Sequence, residues 1–280
     1  MVSFKRSESF YLREGWLSKG LHAIHENPKI NVFSKENGIR LLGIGSNMVS
    51  GLRYWMKAAK LLDLKGKETE FGRLVFEKDP YVESYFTLFL IHYSFATNYD
   101  DCPYFYYVFT QGEKSFTKDT LINDLSQYVM KRDAKDSLPL KAVEDDFFTF
   151  EKTYINKNDE TNPEDNLYCP LTRLKLLREE RDHYFKQQPS FSDLSPLVVF
   201  YAIENSIDPF TQVMIDDYLH AEGNAANIFC LSRVRFNQYL DQLQNRKLVT
   251  VTRTAGLNVF RYEKKLSLPE LFDKEFAKNV

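Results

Sequence analysis

Apolar residues recur at spacings of three and four through long stretches of this chain. Trp16, Leu17, Leu21 and Ile24 share one side of a helix predicted over 13–27, which Pro28 ends. A second short helix is expected over 35–42 and a third over 46–61, in which Val49, Leu52, Met56 and Ala59 form one apolar stripe. Gly43 and Gly45 supply a tight connection between these two, and Ser46 or Asn47 is expected to cap the third. Residues 71–76 are β-rich and read as a strand of a wing, although 67–70 do not alternate. The result is a helix-turn-helix with a weakly written wing.

The middle of the chain, 81–131, is helical in pattern and strongly aromatic, as in Tyr104-Phe105-Tyr106-Tyr107-Val108-Phe109, which reads as core or buried interface. Further helices are expected over 143–155 and 171–186, separated by a polar loop at 156–166 that contains Pro163. The last third predicts helices over 195–203, 211–220 and 232–245, the last with Phe236, Tyr239, Leu240 and Leu243 as its buried stripe. Residues 248–253 and 257–262 alternate at period two around 254–256, a hairpin signal that completes a second winged-helix-like unit. The expected fold is therefore mainly α, with winged-helix-like units over 1–80 and 191–280 flanking a helical middle over 81–190.

On the third helix Asn47, Ser50, Gly51, Tyr54 and Lys57 fall on the arc opposite the apolar stripe, with Arg53 at its edge. A small, polar and cationic face of this kind suits a DNA groove, and it equally suits solvent. The corresponding helix of the last third carries Asp241 beside Asn237, Gln238 and Gln242, so that unit suits a protein surface as well as DNA. The chain of 280 residues has a net charge of −2, so no global positive field draws it to polyanions; contact must come from local basic patches and be salt-sensitive.

Cys102, Cys169 and Cys230 are odd in number and far apart, which speaks against a disulfide framework. The first residues lack the apolar core of a secretory signal, and the longest apolar run, 85–95, is too short for a bilayer. A cytoplasmic protein without membrane attachment is expected.

Catalysis is not established by these residues. The tandem carboxylates Asp100-Asp101, Glu144-Asp145-Asp146, Glu164-Asp165 and Asp216-Asp217 read as solvated faces, the second as favourable charge opening a helix. His22 with His25, and Glu180 with His183, have helix-face spacing but no third ligand nearby. Phosphate-binding loops, dinucleotide fingerprints and nucleophile elbows are absent.

Two stretches resemble an uncharacterised bacterial family. Residues 4–19 are similar to its opening, Phe-Ser-Gly-His-Glu-Thr-Phe followed by Arg-x-x-Trp-Leu-x-Lys. Residues 42–55 are similar to its second signature, Leu-Gly-Val-Gly-Lys-Asn-Met-Val continuing to Arg-Tyr-Trp. Weaker echoes follow at Phe71-Gly72-Arg73-Leu74, Asp79-Pro80-Tyr81, Asp146 to Tyr154 and Glu164 to Leu171. Genes of that family sit in phage-defence islands beside DNA phosphorothioation genes. The resemblance implies the nicking component of a single-stranded phosphorothioation system, acting with a cysteine desulfurase, an ATP-pyrophosphatase-like sulfurtransferase and an ATPase. It carries Arg13, Trp16 and Lys19 over from the first motif, and Asn47, Arg53, Tyr54 and Trp55 from the second.

The family histidine is Ser7 here and its lysine is Ser46; if that histidine serves as base or ligand, this chain is expected to bind DNA without cutting it, and one phosphate contact is lost with the lysine. A nicking activity would call for magnesium or manganese, for which these residues name no ligands. The expected contacts to double-stranded DNA are Ser46, Asn47, Ser50, Arg53, Tyr54 and Lys57, supported by Arg13 and Lys19. Two other functions stay open: a dimeric, non-catalytic transcription regulator, and a scaffold whose winged helices bind partner proteins.

Overall fold

The computed structural model describes residues 2–156, 168–254 and 256–277. The opening region holds α1 (Trp16–Glu26), α2 (Lys35–Leu42), α3 (Ser46–Ala58) and α4 (Glu70–Lys78). α2 has the predicted bounds: Ser34 caps its start by accepting from the Asn37 amide, and Gly43 closes it with a left-handed φ of 65°. α1, α2 and α3 pack on one another through the predicted stripes, with Leu17, Leu21, Val49, Leu52 and Met56 all buried.

Residues 71–76 are not a wing strand. They lie in α4, whose start Thr69 caps by accepting from the Gly72 amide at 3.0 Å. The aromatic and β-branched residues that suggest a strand are placed on one helix face, where Phe71, Leu74 and Val75 are buried. In front of α4 the chain makes a narrow loop, pinned by an isolated antiparallel bridge between Leu62 and Glu68.

The centre is α5 (Tyr85–Ala96), apolar around its whole circumference and buried accordingly. α6 (Pro103–Tyr106) runs directly into a π-helical turn, Tyr107–Gln111, and both lean on α5. α7 (Lys118–Asp133) and α8 (Leu140–Tyr154) complete the helical middle. His92 of α5 ties it to two neighbours. Its Nε2 donates to the Ile228 carbonyl at 2.8 Å, leaving Nδ1 to accept from the Tyr154 hydroxyl at 2.6 Å. Burial holds this imidazole neutral by lowering its pKa to about 4.

The helix expected over 171–186 is replaced by a 3-10 turn, Pro170–Leu174, and the hairpin β2 (Leu177–Glu180) and β3 (His183–Lys186). β3 also pairs with β1 (Ser115–Thr117), so the antiparallel order is β1-β3-β2. Helix formers are overridden there by pairing with a strand about seventy residues earlier and by Arg181 and Asp182, both at positive φ in the turn. Most of the predicted loop 156–166 lies outside the described residues.

The last third runs α9 (Pro196–Glu204), β4 (Val213–Met214), α10 (Ile215–His220), α11 (Ala225–Ile228), α12 (Arg233–Asn245), β5 (Thr250–Thr254) and β6 (Leu257–Arg261). The predicted hairpin is present, and β4 joins it in the order β4-β6-β5, so 211–220 opens with strand rather than helix. α13 (Leu268–Phe276) then returns to the opening region, where Phe272 meets Phe71 and Phe86, and Lys78 pairs with Asp273 at 3.0 Å. Among the described residues no helix is long and apolar enough to cross a membrane.

A Cβ on Gly72 would lie 2.4 Å from the backbone oxygen of Leu61. Gly72→Ala is therefore expected to cost about 1–3 kcal/mol in urea unfolding, because the obstructing atom is main chain. An unchanged midpoint would show that α4 does not pack as described.

Candidate nucleic-acid interface

The two signature stretches meet in space. The chain at 7–10 lies across α3, where the Trp55 indole donates to the Phe10 carbonyl at 2.9 Å. Gly51 makes this approach feasible, since a Cβ there would sit 2.9 Å from the Ser7 carbonyl oxygen and 3.4 Å from Phe10 Cβ. The polar arc of α3 is consequently split. Ser46, Asn47 and Ser50 are exposed, whereas Gly51 is covered.

Two local expectations are corrected. The N-cap of α3 is Gly45, with no side-chain cap, so Ser46 and Asn47 stand in the first turn with their side chains outward. Tyr54 is not a free donor. Its hydroxyl donates to the Asp101 carbonyl at 2.5 Å and lies 3.6 Å from Cys102 Sγ, and burial raises its pKa well above the usual phenol range.

Next to the exposed turn stands a row of cations. Arg53 reaches the loop before α4, its Nη2 lying 3.3 Å from where a Gly66 Cβ would be, and its Nε is buried without a hydrogen-bond partner among the described residues. Lys57 donates to the Leu64 carbonyl at 2.7 Å. Desolvation, then the neighbouring Arg53 and Arg6, lower its pKa. Arg6 forms an ion pair with Asp101. Lys19 is exposed, and its ammonium donates to the Leu42 carbonyl at 3.3 Å, at the turn into α3. Arg13 packs over the rings of Tyr11 and Trp16, at 5.4 and 5.8 Å, a supporting place rather than a surface one.

The acidic groups turn out to be fasteners for the first motif. α8 begins at Leu140, so Glu144-Asp145-Asp146 do not open it as expected. Asp146 instead accepts from the Lys5 amide at 3.0 Å, and Asp145 pairs with the Lys5 ammonium at 3.2 Å. Burial, the largest cause, pushes the Asp146 pKa up to about 6. Ser7, standing where the family histidine would be, is buried with its hydroxyl unpartnered among the described residues. The pairing of Lys5 with Asp146 and of Arg6 with Asp101 carries no local signal in the sequence, because the partners lie 141 and 95 positions apart.

The histidine pairs do not assemble a metal centre. His25 Nε2 donates to the Glu68 carboxylate at 2.8 Å and its ring stacks on Phe76, while His22 packs edgewise on that same ring. Glu180 and His183 face each other across the β2–β3 hairpin. Among the described residues no group of three or more His, Cys, Asp or Glu is placed to hold a metal ion. Asp216 pairs with Arg233, and Glu164-Asp165 lie outside the described residues.

The family described as a protein of unknown function (DUF4007) matches residues 4–276. The chain belongs to this family. A crystal structure of magnesium-ion-bound SspB is similar to it over 99% of this chain and 88% of the other, with a TM-score of 0.84 at 20% identity. A second SspB crystal structure is similar over 100% and 88%, with a TM-score of 0.79 at 19% identity. This DUF4007 chain therefore shares the SspB fold. No curated protein matches it.

Asp146 offers a test of how the family's first motif is fastened. Its folded pKa is raised, so its contribution to stability is complete below about 4 and is lost as pH rises through about 6. Asp146→Asn keeps an acceptor for the Lys5 amide and never ionises. Its melting temperature relative to the native protein is expected to rise by a few degrees between pH 4 and pH 7.5. A pH-independent difference would place Asp146 in solvent.

Proposed function

We propose that the protein is a DNA-binding component of a bacterial DNA phosphorothioation system, and that the opening turn of α3 with the cations beside it is its DNA contact. One observation carries the contact. Ser46, Asn47 and Ser50 are exposed on a helix whose back is buried, with the cations Arg53 and Lys57 farther along it. An exposed polar turn at a helix start with cations beside it suits the phosphate backbone. Ser46, Asn47, Ser50, Arg53 and Lys57 are the contacts, Lys19 borders them and Arg13 supports them by packing. Tyr54 is left out, its hydroxyl being engaged.

The system is supported by the two signature stretches and by the fold shared with SspB. The partners in this reading are the cysteine desulfurase, the sulfurtransferase and the ATPase of the same system. The proposed role is DNA binding, to which the plasmid assay below would add strand cutting. Asp101 and Asp145 are held by Arg6 and Lys5.

The order of α9, β4, α10, α11, α12, β5 and β6 supports reading the last third as a winged helix. That unit suits a protein partner better than DNA. Arg233 pairs with Asp216, Arg253 holds both Asp241 and Asn237, and Arg235 covers the Phe191 ring, so these three arginines around α12 are already engaged.

Binding of a labelled duplex measured against salt concentration tests the contact. The double variant Arg53→Ala, Lys57→Ala should weaken binding and flatten the logarithmic salt slope by about one to two counterions. An unchanged slope, or no duplex binding at low salt by the native protein, would overturn it. Open circles formed from supercoiled plasmid only with magnesium or manganese would add nicking to the function.

A further inference from the structure

The loop between α3 and α4 carries a feature that the DNA-contact reading does not use. Leu64, at its tip, is 83% exposed, the most exposed large apolar side chain among the described residues. The loop is nevertheless tightly built. Asp63 and Lys67 are joined by the bond from the Asp63 amide to the Lys67 carbonyl and by the bond from the Lys67 amide to the Asp63 carboxylate, both 2.8 Å. The Gly66 amide donates to the Asp63 carbonyl at 3.0 Å, with Gly66 at φ 84°. Leu62 and Glu68 pair at the base, and Lys57 grips the Leu64 carbonyl from α3. An apolar side chain is thus held out in water on a rigid support, where little ordering is left to do on contact.

The surroundings select the partner. Lys65 and Lys67 of the same loop are exposed, Arg53 reaches its Gly66, and Lys57 holds the Leu64 carbonyl. Of the two acids of the loop, Asp63 accepts from the Lys67 amide within it, which lowers its pKa and keeps it ionised, and Glu68 is bonded to His25. A projecting apolar tip with four cations against one ionised loop carboxylate matches a duplex, whose phosphates meet the cations while an aliphatic group enters between stacked bases.

We infer that Leu64 is a wedge that unstacks a base step of duplex DNA when the phosphates are held by Arg53, Lys57, Lys65 and Lys67. This rests on the DNA-contact reading above. Flexible pyrimidine–purine steps open most readily, so the wedge prefers TA and CA steps without any base hydrogen bond.

The test uses the full chain and duplexes carrying 2-aminopurine at successive positions across TA-containing sites. Native protein should raise the emission several-fold at one step. Leu64→Ala and Leu64→Gln, both at an exposed position and so folded as the native chain, should bind within a few-fold of native affinity yet leave the emission at the free-duplex level. Leu64→Trp should show quenching of its added indole on binding, as expected for stacking on a base. Binding without any emission change, or a change that survives in Leu64→Ala, overturns the wedge and leaves the DNA contact standing. Failure of the native protein to bind any duplex removes both readings. Leu64-dependent capture by phosphatidylglycerol vesicles in the absence of duplex binding would reassign the tip to a lipid surface.

Discussion

The indole of Trp55, wholly buried and donating to the Phe10 carbonyl, determines which way α3 faces. Losing that hydrogen bond would leave a buried polar group without a partner, at about 1–3 kcal/mol, in addition to the packing of the largest side chain on the helix. With the apolar stripe in the core and the chain at 7–10 laid over Gly51, the helix has one opening left to solvent. That opening holds Ser46, Asn47 and Ser50, with Arg53 and Lys57 farther along. The first motif is fixed in turn by Asp145 and Asp146 of α8 and by Asp101 after α5. Residues from three separate parts of the chain are needed to present one helical turn.

Much of the helical scaffold was legible because it is written in local periodicity. α2 and α12 fall within a residue of the predicted bounds, and the terminal hairpin follows its period-two alternation. Long-range terms defeated the local reading elsewhere. Residues 71–76 look like strand by composition, yet Thr69 caps a helix there and Gly72 allows it to press on the Leu61 backbone. Residues 171–186 are rich in helix formers, yet Arg181 and Asp182 turn the chain so that β3 can lie between β1 and β2.

The site was legible in part for the same reason. Helical spacing assigned Asn47 and Ser50 to the outward arc, where they are exposed, and assigned Gly51 and Tyr54 to it as well. Spacing cannot register a segment that arrives from forty positions earlier to cover Gly51, or a carbonyl at Asp101 that captures the Tyr54 hydroxyl. The loop tip at Leu64 carried no motif. Its meaning depends on the bonds from Lys57, Gly66 and Lys67 that hold it outward.

The central claim, that DNA is met by the opening turn of α3 and the loop after it, is tested most directly by hydrogen–deuterium exchange of the full chain with and without a duplex. The account predicts slowed amide exchange concentrated in residues 45–50 and 62–68, with α12 and the β5–β6 hairpin unchanged. Slowing confined to α12 and that hairpin, with 45–50 and 62–68 unaffected, would contradict it.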